Sequence, residues 1–227
     1  VTFTRYAIYF APPATAEWAK FASSWLGWDI KAGTALVHPV IDGVDVAAVT
    51  EVPRNYGLHA TIKPPFRLRD GQTVEALHDA CAQVAASQPI VVQDGLTIAR
   101  LGRFLALRPL GDEAALNALA AACVRELDSF RAPPAQSELD RRRASGLTAQ
   151  QDANLVQWGY PYVMDTFRFH ITLCGKLDRA TLTTVEAALQ SRLAPLLPQP
   201  FQINDLALVG EAEDGRFHLL HRYALSG

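Results

Sequence analysis

The chain has 227 residues, 49% of them hydrophobic and 19% charged, with a formal net charge of −2. That length suits one domain or two small, closely packed lobes with a sizeable core, and the composition excludes global disorder. The near-neutral balance argues against a strongly electrostatic nucleic-acid binder while leaving room for a local basic patch.

Cys81, Cys123 and Cys174 form no C-x-x-C pair and read as buried thiols of a reducing compartment. Cys174 shares strand parity with His170, so a place near a site is its alternative. Residues 1–10 lack the pattern of a secretory leader. No apolar run reaches the about 18 residues of a membrane helix, so the expectation is a cytoplasmic protein without a membrane partner.

In chain order, residues 5–10 read as a strand stopped by Pro12-Pro13. Thr15 is placed to cap a helix to about Leu26, with Trp18, Phe21, Ala22 and Trp25 on its core face. Residues 30–55 read as irregular, with a short strand near 44–49. A strand over 57–63 is expected to end at Pro64-Pro65. A helix over 73–87, two strands near 90–99 and 103–108, and an Ala/Leu-rich helix over 113–130 follow. Residues 132–162 are more polar, with Ser137 and Thr148 placed to cap two helices. Arg141, Arg142 and Arg143 read as a solvated helix face or as a wall toward an anionic substrate. A strand over 168–173, a helix capped by Asp178 or Thr181, and a closing hairpin complete the chain. His218 and His221 are spaced to face opposite sides of a strand, which disfavours a shared metal.

Two stretches read almost alike: Leu58-His59-Ala60-Thr61-Ile62 and Phe169-His170-Ile171-Thr172-Leu173. Strand side chains alternate, so each stretch buries an apolar face and presents a histidine beside a threonine on the other. The histidines are 111 positions apart, and Gln88-Pro89 recurs as Gln199-Pro200 at the same offset. A shared offset across different segments indicates an internal duplication, with copies at roughly 1–110 and 103–227 and an insertion near 132–162. If the halves are related by a twofold axis, the two motif strands can lie side by side at the centre of a cleft.

Two histidines facing across such a cleft suit in-line displacement at phosphorus. One, neutral, accepts a proton; the other, charged, donates one. Thr61 and Thr172 are suited to donate to non-bridging oxygens. No metal or other cofactor is expected, since the sequence holds no C-x-x-C, no H-E-x-x-H, no P-loop and no G-x-G-x-x-G. Lys63 has the parity of His59 and Thr61, and reads as a charge on that face or as a solvated strand end.

Paired His-x-Thr strands in a duplicated chain resemble the two-histidine (2H) phosphoesterase superfamily. Residues 5–10, 56–66, 158–165 and 167–173 resemble the branch found with bacterial phosphonate-utilisation operons. The resemblance implies a single bilobal α+β domain, with two antiparallel sheets, flanking helices and a central cleft, and metal-independent opening of a small cyclic phosphate of ribose or a nucleotide. His59, Thr61, His170 and Thr172 carry over as catalytic residues, with the acid and base roles open. Arg168 is a candidate for phosphate, and Tyr9 and Tyr160 for ribose or base. Two other readings stand beside this one. The first is an enzyme processing or joining 2′,3′-cyclic RNA ends, which the scarcity of basic tracts weighs against. The second is a non-catalytic protein that binds a phosphorylated metabolite. The expected partner is a small phosphorylated substrate rather than long nucleic acid, and the oligomeric state stays open.

Overall fold

The computed structural model describes residues 2–227; Val1, the first residue of the 1–10 stretch read for a leader pattern, lies outside the described residues. Strand β1 (Phe3–Phe10) leads to α1 (Glu17–Leu26), the short β2 (Trp28–Asp29) and β3 (Thr34–Ala35), and α2 (Val46–Val49). Strand β4 (Ala60–Phe66) is followed by α3 (Val74–Ala86), β5 (Val91–Gln93), the hairpin β6 (Gly95–Leu101) and β7 (Phe104–Leu110), and α4 (Ala114–Glu126). The polar segment forms α5 (Gln136–Arg143) and α6 (Ala149–Trp158). Then come β8 (Ile171–Thr172), α7 (Arg179–Arg192), β9 (Phe201–Ile203), and the hairpin β10 (Asp205–Ala212) and β11 (Phe217–Ala224). No helix among the described residues is long and apolar enough to cross a membrane.

The fold is α+β, as expected, but the two expected main sheets are one. Seven strands run β11-β10-β1-β4-β8-β7-β6, and β2–β3 and β5–β9 form separate small pairs. The join between β4 and β8 is a single residue pair, Ala60 opposite Ile171. These residues are 111 apart, so each faces its own repeat equivalent. An antiparallel pair of that kind has a twofold axis passing through it. The copies exchange hairpins across this axis. The hairpin β6–β7 pairs with β8, while β10–β11 pairs with β1, so each half of the sheet mixes strands of both copies.

The helices cover one face. Ala60 and Ile171 are fully buried there, within a core that includes Leu77, Leu116, Leu119, Val185 and Leu189 from α3, α4 and α7. The short β8 is held from both flanks, by Arg108 donating to the Phe169 carbonyl and by the Trp25 indole donating to the Leu173 carbonyl at 2.7 Å. Those bonds do for two residues what a longer ladder would do.

Several local expectations fail for identifiable reasons. Thr15 does not cap α1; the helix starts after Ala16 without a side-chain cap. Ser137 lies inside α5 rather than before it. Residues 46–49 are helix, not strand, because the Asp45 carboxylate accepts from the Ala48 amide at 3.0 Å. Strand β4 continues through Pro64-Pro65. Beyond Ala60 its second edge has no ladder partner, and its pairing with β1 is irregular there, so the missing N–H groups disrupt little. Thr148 does cap α6, in a full capping box with Gln151.

Candidate functional site

Because Ala60 and Ile171 point into the helical core, His59, Thr61, His170 and Thr172 point to the other face. Continuing the Ala60–Ile171 register sets His59 opposite Thr172, and His170 opposite Thr61. All four line one cleft of about 280 Å³, together with Arg5, Tyr9, Tyr56, Pro65 and Phe217.

The histidines are anchored alike. Nδ1 of His59 lies 3.1 Å from the Gly57 carbonyl, and Nδ1 of His170 lies 2.8 Å from the Arg168 carbonyl. A carbonyl only accepts, so each Nδ1 carries the hydrogen and each Nε2 is left for chemistry. Gly57 makes this possible for His59 by turning the chain at φ +65°, where a side chain would also press on Trp28.

Their surroundings differ. His59 is buried, stacked on Tyr9 with ring centroids 3.7 Å apart, and met edge-on by Tyr56 at 5.2 Å. Loss of solvent pushes its pKa down to about 4, so the ring is neutral near pH 7. The Thr61 hydroxyl lies 3.1 Å from Nε2 and donates to it in this state. His170 is partly exposed, with Phe104 its aromatic neighbour at 6.0 Å.

The substrate-contact candidates separate. Tyr9 is in the cleft, beneath His59, so it fixes the ring more than it offers its own hydroxyl; burial holds that hydroxyl well above its usual pKa. Arg168 and Tyr160 lie instead in an adjoining, mostly apolar pocket of about 310 Å³ that shares Thr61 and His170 with the cleft. Arg168 is exposed and donates to the Phe167 carbonyl at 2.6 Å. Tyr160 is capped by the Arg142 guanidinium, 4.6 Å from its ring centre.

Lys63 is not at the site. Between Thr61 and Lys63 the register with β1 slips by one residue, so Thr61 sits opposite Tyr9 but Lys63 opposite Ile8. A one-residue slip reverses the face. Lys63 enters the core, donates to the Val124 carbonyl at 3.1 Å, and lies 3.8 Å from an Asp128 oxygen. Burial lowers its pKa to about 8. Cys174 is likewise inside, its sulfur accepting from the Leu105 amide. His218 packs near Trp28 and Phe3, whereas His221 lies by His78 and Tyr223, so the two histidines occupy different surroundings.

Arg5, Tyr56, Pro65 and Phe217 line the cleft without having been singled out as site candidates in the sequence. Arg5 shares the face of Tyr9, since the register of β1 with β10 is unbroken from Arg5 to Tyr9, whereas Tyr56 precedes the turn at Gly57 and has no strand parity. The Tyr56 hydroxyl is pushed up to about 12 by burial, partly offset by the Thr172 hydroxyl beside it.

A family model described as "Protein of unknown function (DUF1045)" matches residues 61–218. The chain belongs to this family. Among curated relatives of the DUF1045 chain, a Janthinobacterium sp. (strain Marseille) protein is 36% identical over 219 residues, covering 93% of this chain and 48% of its own length. One from Laribacter hongkongensis (strain HLHK9) is 33% identical over 217 residues, covering 93% and 49%. Both are called ribose 1,5-bisphosphate phosphokinase PhnN. The DUF1045 chain thus spans about half the length of the curated relatives it matches. Among solved structures, E. coli LigT complexed with phosphate aligns over 100% of both chains with a TM-score of 0.49 and 14% identity. That degree of likeness bears on neither chemistry nor ligand.

Proposed function

We propose that the chain opens a small cyclic phosphate ester by acid–base catalysis with two histidines and without a metal, as a hydrolase of phosphonate metabolism. The observation that carries this reading is the pair of histidines in one cleft, each with Nδ1 tied to a carbonyl and Nε2 unclaimed by the backbone.

We assign the roles from the unequal environments of the two histidines. His59, buried and neutral, is the base that takes a proton from water as its oxygen attacks phosphorus. His170, partly exposed on the other side of the cleft, protonates the sugar oxygen as the ring bond breaks. Thr61 turns its hydroxyl from His59 to a non-bridging oxygen, and Thr172 serves the other side, where charge is held in the transition state.

The relatives' name supports a ribose substrate. The sequence holds no G-x-x-x-x-G-K-[ST] phosphate loop, so we assign the kinase named for those proteins to the half that this chain does not match. Water added to ribose 1,2-cyclic phosphate 5-phosphate, with the 2-oxygen leaving, gives ribose 1,5-bisphosphate. That is the compound their name prints, and an enzyme producing it fits beside one that consumes it.

The test is the pH dependence of kcat/KM on a nucleoside 2′,3′-cyclic phosphate, whose phosphate diester does not titrate near neutrality. The base must be unprotonated, and burial lowers its pKa. Activity therefore persists as pH falls through 6.5 and declines only toward about 4. An acid limb centred at or above 6.5 would contradict the assignment of buried His59 as base.

A further inference from the structure

Beside the cleft, and sharing Arg5 and Pro65 with it, lies a small polar pocket lined also by Arg67, Arg131, Glu138 and Gly159. We infer that this pocket is a subsite for a second phosphoryl group, a phosphate monoester on the sugar whose cyclic ester lies in the cleft. The inference rests on the proposed reaction for its sugar, and on the following geometry for its anion.

Three guanidinium groups converge there with donors to spare among the described residues. Arg5 spends Nε and Nη2 on Glu211, leaving Nη1 unpaired. Arg131 spends Nε and Nη2 on Asp128 and the Gln157 carbonyl, leaving Nη1. The Arg67 guanidinium makes no hydrogen bond among the described residues; its nearest carboxylate oxygen, on Glu138, is 3.9 Å away. Glu138 also accepts from Arg142 at 3.3 Å, so this single carboxylate of the pocket is divided between two arginines. With Arg142, four guanidinium groups face the three carboxylates of Glu211, Asp128 and Glu138, a surplus of one positive charge, and planar guanidinium forks match phosphate oxygens.

The sizes agree with a divided substrate. The pocket holds about 30 Å³, room for a few atoms and too little for a ring, whereas the cleft holds about 280 Å³. One wall of the pocket is formed by Ala132, Pro134, Glu138 and Gly159 of the polar insertion. Gly159 is also where a side chain would strike Arg131, at 2.8 Å from Nη1, in a backbone with φ +73°. The polar insertion thereby sets the length of substrate that fits. The apolar pocket at Tyr160 offers Arg168 as its one arginine or lysine among the described residues, and Arg168 is bonded to the Phe167 carbonyl, so it is the poorer phosphate site.

Ribose 5-phosphate lacks a cyclic ester, so its binding tests the subsite independently of turnover. In calorimetric titration at low salt, the wild-type chain binds ribose 5-phosphate more tightly than ribose. Arg67→Ala weakens that binding by about tenfold, the scale of a charge-assisted hydrogen bond, and Arg67→Lys recovers part of it. Arg67 is half-exposed, so an unchanged melting temperature accompanies the loss. In turnover, the preference for ribose 1,2-cyclic phosphate 5-phosphate over ribose 1,2-cyclic phosphate falls by a similar factor. If ribose 5-phosphate fails to bind, or binds the wild type and Arg67→Ala equally, the subsite is overturned even where cyclic esters are opened. If Arg67→Ala loses ribose 5-phosphate while the wild type opens no cyclic ester, the subsite stands and the proposed reaction falls.

Discussion

Replacing His170 by alanine is expected to slow ring opening by about 10²–10⁴-fold, mainly in kcat, because the leaving oxygen then departs without a proton donor. His59→Ala is expected to cost a comparable factor by removing the base. The two losses should not multiply in the double variant, since the residues act on one displacement and the threonine donors still hold the phosphoryl oxygens. His170 is partly exposed and contributes one side-chain bond, to the Arg168 carbonyl, so its alanine variant should melt near the wild-type temperature. Steady-state kinetics with a melting curve on each variant checks both points. Full activity in either single variant would remove that histidine from the mechanism.

Phe169→Ala is expected to have the largest effect on stability, about 3–5 kcal/mol. Phe169 is fully buried, with its ring 6.0 Å from Phe10 and 5.8 Å from Phe201. It joins β8 to the first strand of the chain and to the small β5–β9 pair, across the halves of the sheet. Its loss leaves a cavity beneath His170, so the residual folded protein should also lose activity. Urea denaturation gives the first quantity; a loss below about 1 kcal/mol would mean that the neighbouring rings close the gap.

Much of the site was legible because it depends on a period of two. His59 with Thr61, and His170 with Thr172, needed only strand parity and the repeat offset to be brought to one face. Lys63 obeys the same parity in the sequence, yet a bulge ahead of Pro64-Pro65 sends it into the core. Nothing local to the sequence marks that slip, which depends on how β1 pairs. Tyr56 was invisible for the opposite reason: it reaches the cleft by a turn at Gly57 and leaves no periodic trace. Arg5 has the strand parity of Tyr9, so the same alternation that points to Tyr9 also places Arg5 on that face. The exchange of hairpins was equally hidden, because β6–β7 and β10–β11 read as ordinary local hairpins, and their partners are chosen by distant packing. The insertion showed in its polarity and in the Thr148 capping box, but its use as a wall required the fold.

The most direct measurement follows ribose 1,2-cyclic phosphate 5-phosphate by phosphorus NMR, with the purified chain in excess EDTA and the His59→Ala/His170→Ala variant alongside. The account predicts that the wild type converts the cyclic-phosphate signal to that of a monoester while chelator is present, giving ribose 1,5-bisphosphate, and that the double variant leaves the substrate intact. A wild type that leaves the ring closed, activity that returns only with added divalent metal, or a double variant that opens the ring as fast would contradict it.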